Sequence, residues 1–70
     1  MRYLIVIEKT KTGFSAYSAD VPGCVATGRT QASVRRSMRK ALEFHLEGLR
    51  LDGRRAPRAS TTSAVVEIPA

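Results

Sequence analysis

The chain has 70 residues, 43% of them hydrophobic but with only two Phe, two Tyr and no Trp, and a formal net charge of +6. A chain of this length has room for one small, mostly aliphatic core, which excludes a second domain and makes self-association an expected source of further burial. The single cysteine excludes an internal disulfide, and the apolar run over residues 3–7 is too short for a signal-peptide core or a membrane span. We therefore expect a cytoplasmic protein that does not contact a membrane.

The first part of the chain has the period-2 patterning of β-strands. Residues 2–8 are apolar on both faces, which is typical of a central strand that is covered on both sides. Residues 14–20, FSAYSAD, resume the alternation after the polar turn KTKTG, so the two segments are predicted to pair as a hairpin. Pro22 and Gly23 then predict a turn over residues 20–23 that leads into a short third strand, CVAT.

The next segment has helical periodicity. Thr30 is the predicted N-cap, and Gly53 is the predicted end of the helix. One stripe is apolar and is expected to lie on the sheet; it consists of Val34, Met38, Ala41, Leu42, His45, Leu46 and Leu49. Residues 54–63 read as an exposed connection, and AVVEI, residues 64–68, is predicted to be a last strand parallel to the first. The predicted fold class is α+β, in the order β-β-β-α-β.

No group of side chains has the spacing of a catalytic, cofactor or metal site. The six acidic residues are dispersed, one Cys and one His cannot complete a zinc site, and no glycine-rich loop carries a phosphate-binding lysine. Cys24 lacks the cationic neighbours that lower a thiol pKa, and His45 falls within the apolar stripe. Packing is the favoured interpretation of both, and we expect neither enzyme activity nor a cofactor nor a bound metal.

Two surface features of the helix leave alternatives open. Its first half is basic and is either a solvated face or a contact for nucleic acid or an acidic partner; the residues are Arg35, Arg36, Arg39 and Lys40. Phe44 and Leu51 lie seven residues apart on a flank away from the apolar stripe. They are either isolated exposed residues or a small contact, in a dimer or with a protein partner.

Two blocks of the sequence carry a family resemblance. The chain resembles the HicB-like antitoxin family in residues 13–30, GFSAYSADVPGCVATGRT, and in residues 41–53, ALEFHLEGLRLDG. The first block contains what we call the signature turn, with Asp20, Pro22, Gly23 and Cys24 at the family's spacing. The resemblance implies a partly degraded ribonuclease H-like fold, a mixed sheet of three antiparallel strands and a fourth parallel to the first, with one helix packed on it. It also implies a single HicB-like domain over residues 1–70.

The resemblance further implies a partner. Family members bind and neutralise a small HicA-like toxin, a ribonuclease that cleaves messenger RNA with a catalytic histidine, by covering its active site. We expect a homo-oligomer, a dimer or a tetramer, that uses the signature turn in the partner contact. Many members continue into a DNA-binding domain, and none is expected here. The alternative function is a small basic nucleic-acid-binding protein without catalytic activity, which would use the four cationic residues of the helix.

Overall fold

The computed structural model describes residues 1–69 and contains three strands followed by one helix. The strands are β1 (Ile5–Lys9), β2 (Phe14–Ser18) and β3 (Val25–Gly28), and the helix is α1 (Gln31–Leu51). The sheet order is β1-β2-β3 and both pairings are antiparallel, so β2 is the middle strand. The predicted α+β class is confirmed, as are the three antiparallel strands and the single helix.

Both turns of the sheet follow from local chemistry. Between β1 and β2, the Thr10 N–H donates to the Gly13 carbonyl at 2.8 Å, and the Gly13 N–H donates to the Thr10 hydroxyl at 3.1 Å. Between β2 and β3, Pro22 is followed by Gly23 with φ +86°, the positive value that only glycine adopts readily. The turn closes with a 3.4 Å hydrogen bond from the Cys24 N–H to the Val21 carbonyl, one residue later than the sequence predicted.

The strand register divides the side chains between two faces. Residues directly opposite each other in an antiparallel pair point to the same side of the sheet. Ile7, Ala16 and Ala26 are aligned on the inner face, under α1, where Ala16 is buried. The buried core is small and consists of Ala16, Val21, Cys24, Val34 and Met38.

Helix α1 begins and ends as the sequence predicts. The Thr30 hydroxyl accepts from the Ser33 N–H, and the Ser33 hydroxyl accepts from the Thr30 N–H, both at 3.0 Å, which makes a reciprocal cap. Gly53, with φ +71°, follows the last turn. The predicted apolar stripe is confirmed, since Val34 and Met38 are fully buried and the other members are half-buried. Within residues 1–69, the structure contains no helix with the length and hydropathy needed to cross a membrane.

The predicted fourth strand is not formed by residues 64–68 in the single chain. No residue from 54 to 69 belongs to a helix or strand, and Val65, Val66 and Ile68 are exposed. Alternating β-branched residues allow a segment to form a strand, but a strand also needs a neighbouring strand to which its backbone can hydrogen-bond. In the single chain, residues 64–68 have no such neighbour. As a consequence β1 is an edge strand, where the sequence pattern indicated a central one.

Candidate partner-binding site

The signature turn has a buried base and an exposed tip. Val21 and Cys24 point into the core, and the Val21 N–H donates to the Ser18 hydroxyl at 3.2 Å. Pro22 and Gly23 are exposed between them. Because both ends of the turn are anchored, its tip is held in one conformation and is available for contact with another molecule.

Cys24 has the environment of a packing residue. Its side chain is buried, and its thiol lies 3.9 Å from the Ala41 carbonyl oxygen, to which it donates. Burial raises the pKa of the Cys24 thiol, so the nucleophilic thiolate is disfavoured. His45 is half-buried one helical turn beyond Ala41. These observations support the packing interpretation of both residues.

Asp20 has a structural contact that the sequence did not reveal. Its carboxylate accepts hydrogen bonds from the Thr61 hydroxyl at 2.7 Å, the Thr61 N–H at 3.2 Å and the Ser60 hydroxyl at 3.3 Å. The hydrogen bond from the Thr61 hydroxyl is the main cause that holds the pKa of Asp20 below its ordinary value. Nearby, the Tyr3 hydroxyl donates to the Pro57 carbonyl at 2.6 Å. Asp20 therefore ties the segment after α1 to the signature turn.

The outer face of the sheet is apolar and partly uncovered. Val6, Tyr17 and Val25 are aligned across the three strands on the side opposite α1. Tyr17 is 43% exposed and Val25 is 68% exposed. The next outer row consists of Glu8, Ser15 and Thr27. The ladder thus presents no Lys or Arg on this face, a property that becomes visible only when the register is known.

The cationic residues of α1 lie on its solvent side. Arg35, Arg36, Arg39 and Lys40 are all exposed. The Arg39 Nε lies 4.0 Å from Glu43 Oε1, whereas no carboxylate within residues 1–69 lies that close to the other three. Three of the arginines line an open groove of about 820 Å³ between α1 and the start of β1, and Arg2 joins them there.

Phe44 and Leu51 are left uncovered by the rest of the chain. Phe44 is 84% exposed and Leu51 is 71% exposed, and a Cβ added at the intervening Gly48 would meet no atom within 4 Å. The flank is therefore open to close approach by another molecule. Within residues 1–69, no three His, Cys, Asp or Glu side chains are grouped as a metal site would require.

Comparison with known proteins relates the chain to a protein family, a phage protein and a solved structure. The model of the family described as HicB-like antitoxin of bacterial toxin–antitoxin system matches residues 3–70. A 14.9 kDa protein from the rep-hol intergenic region of Haemophilus phage HP1 (strain HP1c1) is 32% identical over 69 residues, which are 99% of this chain and 52% of that protein. This chain therefore spans about half the length of that curated relative. A chain of the solved HicA3 and HicB3 toxin–antitoxin complex is 33% identical, with a TM-score of 0.71 over 86% of this chain and 70% of that chain.

Proposed function

This chain belongs to the family of HicB-like antitoxins, and we propose that it binds and neutralises a small HicA-like toxin that cleaves messenger RNA, by covering the active site of that toxin. The family match over residues 3–70 and the structural similarity to a chain from a toxin–antitoxin complex support this role. In the proposal the chain inhibits by binding alone, without a cofactor or a catalytic step of its own. We place it in the cytoplasm, where the mRNA substrate of the toxin is found.

The outer face of the sheet is the surface that suits such a toxin best. A protein that binds RNA needs a basic surface to contact phosphate, so an inhibitor with a net charge of +6 must approach it through a face that carries few cations. The outer ladder rows have no Lys or Arg and include Glu8. Val25 and Tyr17 supply the exposed apolar area, and the tip of the signature turn, Pro22 and Gly23, lies at the end of the same strands.

Matched charge substitutions test this assignment. Val25→Arg places a cation on the outer face, and Thr12→Arg places the same cation on the exposed turn between β1 and β2. We expect Val25→Arg to weaken binding to a catalytically inactive HicA-like toxin at least about tenfold in titration calorimetry, because a charge buried in an apolar contact costs more than about 1.4 kcal/mol. Thr12→Arg should bind as the parent does. Equal affinity of both variants would show that the contact lies elsewhere.

We also propose that the chain self-associates, as a dimer or tetramer, and that Phe44 and Leu51 form one contact between copies. Two large apolar side chains flank Gly48, whose missing side chain leaves room for a second helix to approach. A two-fold contact would bury the same flank on both copies. Phe44→Glu should then lower the assembly mass in analytical ultracentrifugation, and an unchanged mass would exclude this contact.

The alternative function is supported by one observation, the three exposed cations of α1 without a carboxylate within 4.0 Å. A nucleic-acid-binding protein would use Arg35, Arg36, Arg39 and Lys40 for phosphate contacts. Its affinity for single-stranded RNA should then fall with salt by about 0.7 log units per contact for each log unit of salt. RNA binding that persists after these four residues are changed to Ala would refute this alternative.

A further inference from the structure

The segment after Thr61 leaves the domain with its apolar side chains uncovered. We call residues 62–69 the tail. The Asp20 carboxylate holds Thr61, and beyond it the tail makes no backbone hydrogen bond with the rest of the described chain. Val65 is fully exposed, and Val66 and Ile68 are 74% and 75% exposed. Three large aliphatic residues in water over such a short segment indicate that the tail is covered in the working assembly.

The sheet has an edge at which a further strand could pair. Strand β1 is at the edge, and only its β2 side is paired, so the backbone groups on its other side have no ladder partner within residues 1–69. A free apolar edge strand is a template for pairing with another strand. Beside this edge lies the groove between α1 and the start of β1. Its lining combines apolar side chains, among them Ile5, Leu42 and Leu46, with the four arginines described above. A strand added to β1 would therefore find apolar side chains on the α1 side.

We propose that the tail of one copy adds as a fourth strand to the free edge of β1 in a second copy, which returns its own tail in the same way. In an extended segment, Ala64, Val66 and Ile68 share one face and Val65 and Glu67 share the other. The uncharged face fits the groove beside Ile5 and Leu42. The other face continues the outer face of the sheet, where its charged member Glu67 remains in water.

The position of Thr61 favours the second copy over the tail's own β1. Asp20 follows the middle strand β2, and a fourth strand would lie two strand spacings away, about 10 Å. At about 3.3 Å per residue, a tail that starts at Thr61 would use residues 62–64 to cross to its own edge, so Ala64 would be lost from the pairing segment and only residues 65–69 would remain. The structure instead directs the tail outward. The edge of a second copy can accept it over its whole length.

In a reciprocal exchange, the number of tails equals the number of free β1 edges. Each copy has one tail and one free β1 edge, so a two-fold dimer pairs every tail with a β1 edge and leaves neither unmatched. Such an exchange extends the sheet with a strand that the chain's own sequence supplies. It does not involve the toxin, so it stands whether or not the proposed toxin binding is correct.

Paramagnetic labelling between two populations of the chain tests the exchange. A nitroxide is attached to Glu67→Cys, on the face that stays in water, in a Cys24→Ala background, and this population is mixed with an ¹⁵N-labelled, nitroxide-free population. We expect broadening of the amide signals of residues 3–9 in the ¹⁵N-labelled copy. A second sample carries the nitroxide and ¹⁵N in the same chain and is diluted in excess unlabelled protein. Broadening in this second sample alone would show that the tail pairs with its own edge. Absence of broadening in both mixtures would also overturn the proposal.

A pair of variants with equal charge change gives a second readout. Val66→Lys and Glu67→Gln each add one unit of positive charge, but only the first places a cation on the face assigned to the groove. We expect Val66→Lys to halve the assembly mass in analytical ultracentrifugation and Glu67→Gln to leave it unchanged, with the far-UV circular dichroism of both as in the parent. An unchanged mass for Val66→Lys would contradict the exchange. Both measurements are made without toxin, so they fail or succeed separately from the toxin-binding experiment.

Discussion

Gly28, the last residue of β3, lies against the first turn of α1, and its replacement gives a sharp test of the fold. A Cβ at Gly28 would lie 2.6 Å from the Ser33 Oγ, 2.7 Å from the Val34 backbone nitrogen and 3.0 Å from the Val34 Cα. The Ser33 hydroxyl cannot move away without breaking the reciprocal cap with Thr30. Val34 is fully buried in the first turn of α1, so its backbone can move only if the helix lifts from the sheet.

The expected destabilisation follows from these contacts. Overpacking of a well-packed site costs about 1–3 kcal/mol, and disturbance of an N-cap costs about 0.5–2 kcal/mol. We therefore expect Gly28→Ala to lower the free energy of unfolding by about 2 kcal/mol. In a domain of this size, that loss corresponds to a fall in the melting temperature of about 8–16 °C.

Gly48 provides the matched control in the same chain. It lies on the exposed side of α1, and an added Cβ would meet no atom within 4 Å. Gly48→Ala should raise the free energy of unfolding of the monomer by about 0.5–1 kcal/mol, because alanine has the higher helix propensity. Since Gly48 also lies in the proposed contact between copies, the comparison is made at a concentration at which the parent is monomeric. The assay is thermal unfolding followed by far-UV circular dichroism. If Gly28→Ala melts at or above the parent temperature, the close packing of β3 against α1 is wrong.

The remaining predictions concern three residues of the signature turn, Asp20, Gly23 and Cys24. Because burial raises the pKa of Cys24, iodoacetamide should alkylate this thiol much more slowly than free cysteine at neutral pH, and rapid alkylation of the folded protein would contradict its packing role. Cys24→Ala should also leave toxin binding intact, whereas Gly23→Val should disrupt the turn, because Gly23 has positive φ. The pKa of Asp20 in the folded protein lies below its ordinary value of 3.8. The hydrogen bonds that its carboxylate accepts from Thr61 therefore contribute their full stabilisation when the pH is above the pKa of the unfolded chain. That contribution is lost as the pH falls through the folded pKa. The Thr61 amide chemical shift should therefore titrate below pH 3.8 and should not titrate in Asp20→Asn; a midpoint above that value would refute the tie.

The elements that sequence reasoning predicted are those that local chemistry determines. Thr30 and Gly53 mark the two ends of α1 because capping involves residues only a few positions apart. Pro22 and Gly23 mark the turn for the same reason. The apolar stripe of α1 was likewise readable, since a helical repeat places its side chains regardless of what covers them.

The features that were missed depend on contacts between distant parts of the chain. The tie from Asp20 to Thr61 spans 41 residues, and nothing in the turn itself indicates it. The cation-free outer face required the register that aligns Val6, Tyr17 and Val25. The alternation in residues 64–68 is typical of a strand, which the single chain does not form. No local pattern specifies whether a neighbouring strand is available for pairing.

The most direct test of the proposed role is inhibition of the toxin. A purified HicA-like toxin is incubated with an mRNA substrate and increasing amounts of the chain at physiological salt. We expect the parent and Thr12→Arg to reduce cleavage to zero at a fixed stoichiometry. At a toxin concentration below the parent's dissociation constant, half-inhibition by Val25→Arg should require at least about tenfold more protein. Full cleavage at saturating concentrations of a correctly folded chain would contradict the proposed antitoxin function.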